Sequence, residues 1–234
     1  MKPLQISRRL HILTVLLLAA CAVQAPPSAV TPAAAPDTGA AWYQQAARSG
    51  QQVYQVDAAQ SLITVTVRRG GALARLGHDH VVASRSVAGF VAPAAGRADF
   101  HFRLDQMTVD EPALRSAAGL DTQPSADAIE GTRANMLGRV LDAARYPVVM
   151  LRAERVRGKD GVLNLTVTLH GVKRTVEVPV TIERNKTTVT ANGQLRLLQT
   201  DFGITPMSVM GGAMAVQDPM ELAFKIVATA VAPR

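Results

Sequence analysis

From about Val53 onward, apolar and polar residues alternate with a period of two in one segment after another. In 61–69, Ile63, Val65 and Val67 fall on one face, and Thr64, Thr66 and Arg68 on the other. In 162–170, Leu163, Leu165, Val167 and Leu169 oppose Asn164, Thr166 and Thr168. Val176, Val178, Val180 and Ile182 repeat the theme, as do Leu222, Phe224 and Ile226, and further strand-like stretches lie at 81–91, 97–109, 148–157 and 187–198. Successive side chains of a strand point to opposite faces, so each segment has one apolar and one polar face. That suits an antiparallel sheet wetted on one side. The connections at 157–161 and 183–186 are short, which predicts hairpins between sequence neighbours. About eight such strands with edges to hide predict closure into a barrel. A two-sheet sandwich is the other architecture the pattern allows.

One stretch breaks the alternation. At 125–145, Ile129, Met136, Leu137, Val140, Leu141 and Ala144 approximate helical spacing, with Ser125 or Asp127 as cap and Pro147 as stop. Gly131 and Gly138 weaken a single helix, so two short pieces are an alternative. A helix inserted between barrel strands is expected to cover an open end. The expected fold is therefore all-β, an antiparallel eight-stranded barrel with a short helical insertion.

The first fifty residues have another character. Lys2, Arg8 and Arg9 precede an apolar run over 12–20, too short to span a bilayer comfortably, and small residues lead into Cys21, the only cysteine. Residues 1–20 read as a secretory signal. Leu18-Ala19-Ala20-Cys21 resembles the lipobox of bacterial lipoproteins, which implies a lipid-modified Cys21 at the mature N-terminus. An ordinary signal peptide that happens to contain a cysteine is the alternative. Ala22, and not Asp, follows the cysteine, a pattern similar to lipoproteins sent to the outer membrane. Several acyl chains, at ~0.8 kcal/mol per buried methylene, suffice to hold a soluble domain on a membrane. Residues 22–40, rich in Ala, Pro, Thr and Ser, lack apolar bulk to bury and read as a tether. Residues 41–50 continue it or form a short helix. The division is signal 1–20, lipidated N-terminus and tether 21–50, and barrel 51–234.

Loss of a signal bearing three cations and no acid takes the formal charge from +7 to +4. The remaining charges are interspersed, without the concentrated basic stripe of a nucleic-acid site. With a single cysteine, a disulfide within the chain cannot support the fold.

Candidate chemistry is sparse. His78 and His80, two apart, share a strand face with Asp79 pointing away, and two imidazoles on one face suit a metal. A third ligand has to come from His101, His170 or a distant carboxylate. The alternative is a polar strand start whose histidines bond backbone or water. Met207, Met210, Met214 and Met220 flank Gly211-Gly212 in a loop near a barrel end. Methionines there either accommodate a flexible apolar ligand or fill a core. Asp201 is expected to bond backbone in its turn. There is no Gly-x-Ser-x-Gly elbow, His-Glu-x-x-His helix motif, phosphate loop or thiol nucleophile. No catalytic residue and no cofactor are assigned.

Several segments together resemble the YceI-like family of periplasmic polyisoprenoid-binding proteins. Tyr54-Gln55-Val56-Asp57 before Ser61 is similar to its opening strand, and Gly89-Phe90 to its Gly-x-Phe. Leu120-Asp121-Thr122, Leu141-Asp142 with Arg145-Tyr146-Pro147, Leu165-Thr166-Val167 with His170-Gly171-Val172-Lys173-Arg174, and Asp201-Phe202-Gly203-Ile204 follow in the family's order. The resemblance implies a lipocalin-like barrel holding a long isoprenoid in its interior. Phe90, Phe202, Met207, Met210 and Met214 become the candidate ligand contacts. Two departures stand out: Gln199 where the family often has Arg two residues before Asp-Phe-Gly, and 77–80, which differs from the better-known lipid binders. Three functions follow. The chain is a lipid binder tethered to the periplasmic face of a membrane, a structural or partner-binding barrel with a packed interior, or a metal-dependent enzyme using His78 and His80. Inward-facing small residues decide between the first two, with Ala83, Ala88, Ala98, Ala153, Ala191, Gly193, Ala223 and Ala228 as candidates.

Overall fold

The computed structural model describes residues 38–120 and 122–231. The signal segment, Cys21 and the tether to residue 37 lie outside the described residues, as does Asp121.

Eight antiparallel strands close into a barrel in simple up-and-down order. The first three are each interrupted. Strand β1 comprises Tyr54–Val56 and Leu62–Gly70, β2 comprises His80–Ser84 and Ala88–Ala92, and β3 comprises Arg97–Arg103 and Thr108–Val109. The rest are β4 (Val148–Arg155), β5 (Val162–Leu169), β6 (Val172–Arg184), β7 (Thr188–Leu198) and β8 (Met214–Ala230). The 17 residues of β8 close the ring. One side pairs with β7 over its length, and the other pairs with both segments of β1, as in Phe224 with Ile63 and Ala230 with Tyr54. Pro219 lies where the β8–β1 register shifts, between Val216 and Met220, a place where a missing N–H is tolerated. Closure removes the open edges that would otherwise template aggregation.

Local chemistry explains the joints. The Asp57 carboxylate accepts from the Ala59 amide and shapes the tight turn that splits β1. His170 and Gly171, both at positive φ, make the two-residue turn between β5 and β6, the twist such hairpins prefer. Gly89 in β2 is required by close approach, since a Cβ there would lie 2.1 Å from the Asp99 carbonyl oxygen.

Among the described residues, three α-helices decorate the barrel. Helix α1 (Ala40–Arg48) packs on the outer wall, where Tyr43, Ala46, Val53 and Ala92 form a small core of their own. Helix α2 (Pro112–Ala117) starts with Pro in its first turn; period-two reading passed over it, because six residues are too few to display a helical repeat. Helix α3 (Ala126–Asn135) is capped by Ser125, whose hydroxyl accepts from the Ala128 amide at 3.2 Å. It runs on into a π-helical turn, Met136–Val140, in which the Leu141 amide donates to the Met136 carbonyl. Among the described residues no helix is long and apolar enough to cross a membrane.

The alternating faces turn as the sequence pattern requires. Ile63, Val65, Val67, Leu163, Leu165 and Val167 point into the barrel, and their polar neighbours point out.

Candidate functional site

The interior is hollow. Two compartments of about 240 and 120 Å³ lie within the ring. They share Ile63, Leu151, Val167 and Leu222 as common walls, so they adjoin along the barrel. Leu163 lines the smaller compartment and Leu169 the larger, and the six steps between them span ~20 Å at strand rise.

The smaller compartment is lined by apolar residues alone, with room left by Ala98, Ala153, Ala191 and Ala228. Ala98 and Ala153 are direct register partners, so two small side chains face inward at one level. Gly193 contributes differently. It pairs with Phe224, and a Cβ there would stand 2.5 Å from the ring's Cζ, so the missing side chain seats the Phe224 ring. Of the other small residues proposed from sequence, Ala83 and Ala223 pair with Thr64, a residue of the outer face, and Ala88 is exposed.

The larger compartment has a polar end. His80, Thr132, Asn135 and Gln199 join Met136, Val140 and Leu141 of the α3 turn there. The i→i+5 bond widens this turn, bringing Met136 and Leu141 onto one side, where both border the space.

His80 is anchored from behind. Its Nδ1 lies 2.6 Å from Asp110 Oδ2. Asp110 also accepts from the Val81 amide at 3.0 Å and from Arg115 at 2.6 Å, and both Asp110 and Arg115 are 1% exposed. Burial alone would raise the Asp110 pKa, but the hydrogen bonds from His80, Val81 and Arg115 outweigh it and hold the group below the usual carboxylate range. Asp110 is thus an ionised acceptor, and His80 donates to it through Nδ1–H. Arg115 spends its remaining donors on the Asp79 carbonyl and on the carbonyl and hydroxyl of Thr122. No feature of the sequence singled out Asp110 or Arg115, because a buried ion pair leaves no periodic trace.

The His78 and His80 rings stand 6.2 Å apart, edge to face, and Asp79 turns away to Arg68 and Arg69. No cluster of three or more His, Cys, Asp or Glu suited to a metal occurs among the described residues. His101 alternates with the inward Phe100 and Phe102 and so faces outward. The two histidines therefore do not gather the third ligand that a metal centre needs.

The candidate ligand contacts separate. Met207 borders the cavity. Phe202 is wholly buried in the core without lining the space. Met210 is 69% exposed, and Met214 packs by Gly77; neither lines the cavity. Phe90 lies outside the barrel, stacked on Tyr43 of α1 at 5.4 Å, because its neighbour Val91 takes the inward position. Beneath α1, Asp99 accepts from the Tyr43 hydroxyl (2.8 Å), Arg97 (2.7 Å) and Arg152 (2.6 Å). Burial and the Asp99 carboxylate raise the Tyr43 pKa above its ordinary value. Asp201 is exposed; the carboxylate that shapes its turn is Asp218, which accepts from the Thr200 amide and hydroxyl.

A family model described as the YceI-like domain matches residues 54–228, which is all eight strands nearly to the end of β8. The chain belongs to the YceI-like family. No curated protein matches it. Among solved structures, a polyisoprenoid binding domain from Saccharophagus degradans implicated in plant cell wall breakdown is similar at 14% identity and a TM-score of 0.55, covering 76% of this chain and 98% of that one. BcnA of Burkholderia cenocepacia is similar at 19% identity and a TM-score of 0.51, covering 74% and 98%. At such identities the likeness speaks to the YceI-like fold.

Proposed function

We propose that this YceI-like barrel is a lipid-binding protein that holds one long apolar ligand, an isoprenoid or a similar chain, in its interior. The observation that carries the reading is the pair of adjoining compartments along the barrel, the smaller of them lined by apolar residues alone. Small residues at inward positions are what a packed barrel would have filled. A chain buried there is stabilised mainly by its apolar area, at ~25 cal/mol per Å², so the tail needs no polar contact. Membership of the family, and the polyisoprenoid-binding domain of S. degradans among its structural likenesses, support the same ligand class. Binding, not catalysis, is the activity proposed.

The membrane attachment belongs to the same proposal. Acylated Cys21 and the tether after it keep the barrel at the periplasmic face of a membrane, the outer membrane on the residue after the cysteine. A binder of membrane lipids placed there needs only a short transfer. Mass spectrometry of lipid extracted from protein purified from its native membrane tests the ligand. A long-chain lipid in near-stoichiometric amount is expected, and lipid-free protein would favour the packed-barrel alternative.

A further inference from the structure

Leu76 and Met210 are the two most exposed large apolar residues among the described residues, at 59% and 69%. Leu76 lies in the connection between β1 and β2, and Met210 in that between β7 and β8, beside Val209, which is also exposed. None of the three lines the cavity. The two connections are bonded to each other at one end of the barrel. The Leu73 amide donates to the Ala213 carbonyl at 2.7 Å, and Gly77 lies beside the Met214 methyl. A Cβ at Gly211 or Gly212 would meet nothing within 4 Å, so the second tip stands clear of the barrel. Met210 itself holds a φ of 53°, an unfavourable conformation for a side chain that gains no burial from it.

Single exposed apolar residues are ordinary, but a cluster of them marks an interaction surface. Its charge points to the partner. Residues 71–77 and 205–214 include one cation, the exposed Arg75, and no acid. Asp79, the next acid along the chain, is taken up by Arg68 and Arg69. Apolar tips beside an arginine suit the boundary of an anionic bilayer, where the tips enter the acyl region and the guanidinium meets phosphate.

The tether is long enough to permit this. The described chain starts at the opposite end, where Gly39 lies beside Arg97 and Tyr54 pairs with Ala230. Eighteen residue steps separate Gly39 from Cys21 and reach up to ~60 Å when extended. The 17 residues of β8 rise ~55 Å along the strand, and less along the axis of a barrel whose strands tilt. An anchor at Cys21 therefore lets the far rim face the bilayer.

We propose that the two connections form a docking rim that seats the barrel on an anionic bilayer, with Leu76, Val209 and Met210 inserted and Arg75 at the headgroups. Docking sets how the barrel stands, whatever it holds, and takes from the proposed function only the anchor at Cys21.

The test places the acylated protein on vesicles of phosphatidylethanolamine and phosphatidylglycerol, with an environment-sensitive fluorophore on Leu76→Cys, Met210→Cys or Arg157→Cys. Arg157 is exposed in the β4–β5 connection at the opposite end, and wild type taken through the same labelling sets the background. Labels at 76 and 210 are expected to shift to the blue and to be quenched by nitroxides on the lipid acyl chains, while the label at 157 is not. With the label on Ser208→Cys instead, Leu76→Ser and Met210→Ser together are expected to lower the ratio of docked to free barrels at least roughly tenfold, from the apolar burial lost. If the protein sediments with the vesicles while 76 and 210 stay in water, the rim is refuted and the anchor stands. If none sediments, the anchor fails and the rim with it. A blue shift at 210 that needs no vesicles and grows with protein concentration would assign the tips to a second copy of the chain and overturn docking on lipid.

Discussion

Ala153→Leu is the sharpest probe of whether the smaller compartment holds a ligand. Ala153 is buried on β4, faces the cavity and lies opposite Ala98. The substitution adds three carbons to a space of about 120 Å³. In the ligand-free protein those carbons enter an apolar void, where the gain in buried surface offsets crowding, so the melting temperature should hold or rise. In the liganded protein they exclude about three methylenes of the chain, at ~0.8 kcal/mol each. The expected loss is therefore ~2.4 kcal/mol, or roughly 50-fold in Kd. Titration with a fluorescent long-chain lipid reads the affinity, and extraction of the purified variant reads the lipid retained. Ala223→Leu, on the outer face, is the matched control and should leave both unchanged. Unchanged affinity in Ala153→Leu would refute the reasoning, because no ligand chain then occupies that level. A steep fall in stability would refute it from the other side, by showing that the void cannot accept a side chain.

Three further outcomes follow from the polar groups and the anchor. Asp110→Asn leaves the buried Arg115 without its counter-charge and should destabilise the protein by ~3–5 kcal/mol in urea denaturation; a cost under ~1 kcal/mol would mean the pair is dispensable. For Asp99 and Asp110, burial pushes the pKa up, but their hydrogen bonds prevail and the folded values lie below the unfolded ones. Their stabilisation is thus complete above the unfolded carboxylate pKa of ~3.9 and lost as pH falls below it toward the folded values; melting temperature should drop in that window, and less steeply in Asp99→Asn. Finally, Cys21→Ala should release the protein from the membrane fraction or block its processing, whereas a processed variant retained equally by membranes would refute acyl anchoring.

The strand faces were legible because alternation is a local property, written in single residues and repeated. Ile63, Val65, Val67 and the Leu163–Leu169 series could not be rotated without exposing a whole apolar row. Phe90 shows the limit. In Ala88–Ala92 the small residues leave parity weakly marked, and the outward position became acceptable only because α1 covers it with Tyr43. Nothing in 88–92 encodes a helix forty residues upstream. The breaks in the first three strands were hidden for a similar reason. Each is a turn whose cause is one side chain or a backbone contact, as with Asp57 and Ala59, and such contacts leave alternation on either side intact.

The same distinction explains why the polar end could be read only in part. His80 and Gln199 were visible as departures from a pattern, but their chemistry depends on partners far along the chain. A hollow barrel lacks the dense packing that normally holds interior side chains in one geometry. At this end the orienting task passes to hydrogen bonds. Asp110 joins the start of β2, through His80 and Val81, to α2, through Arg115, and Arg115 in turn reaches the Asp79 and Thr122 carbonyls. Truncating any one member strands another in a buried setting, so the network behaves as a unit. An interior open enough to admit a chain can in this way keep a fixed imidazole at its end. An apolar space of this kind would stabilise a chain by the area it removes from water without choosing among lipids, so any choice has to come from fixed polar groups at its end.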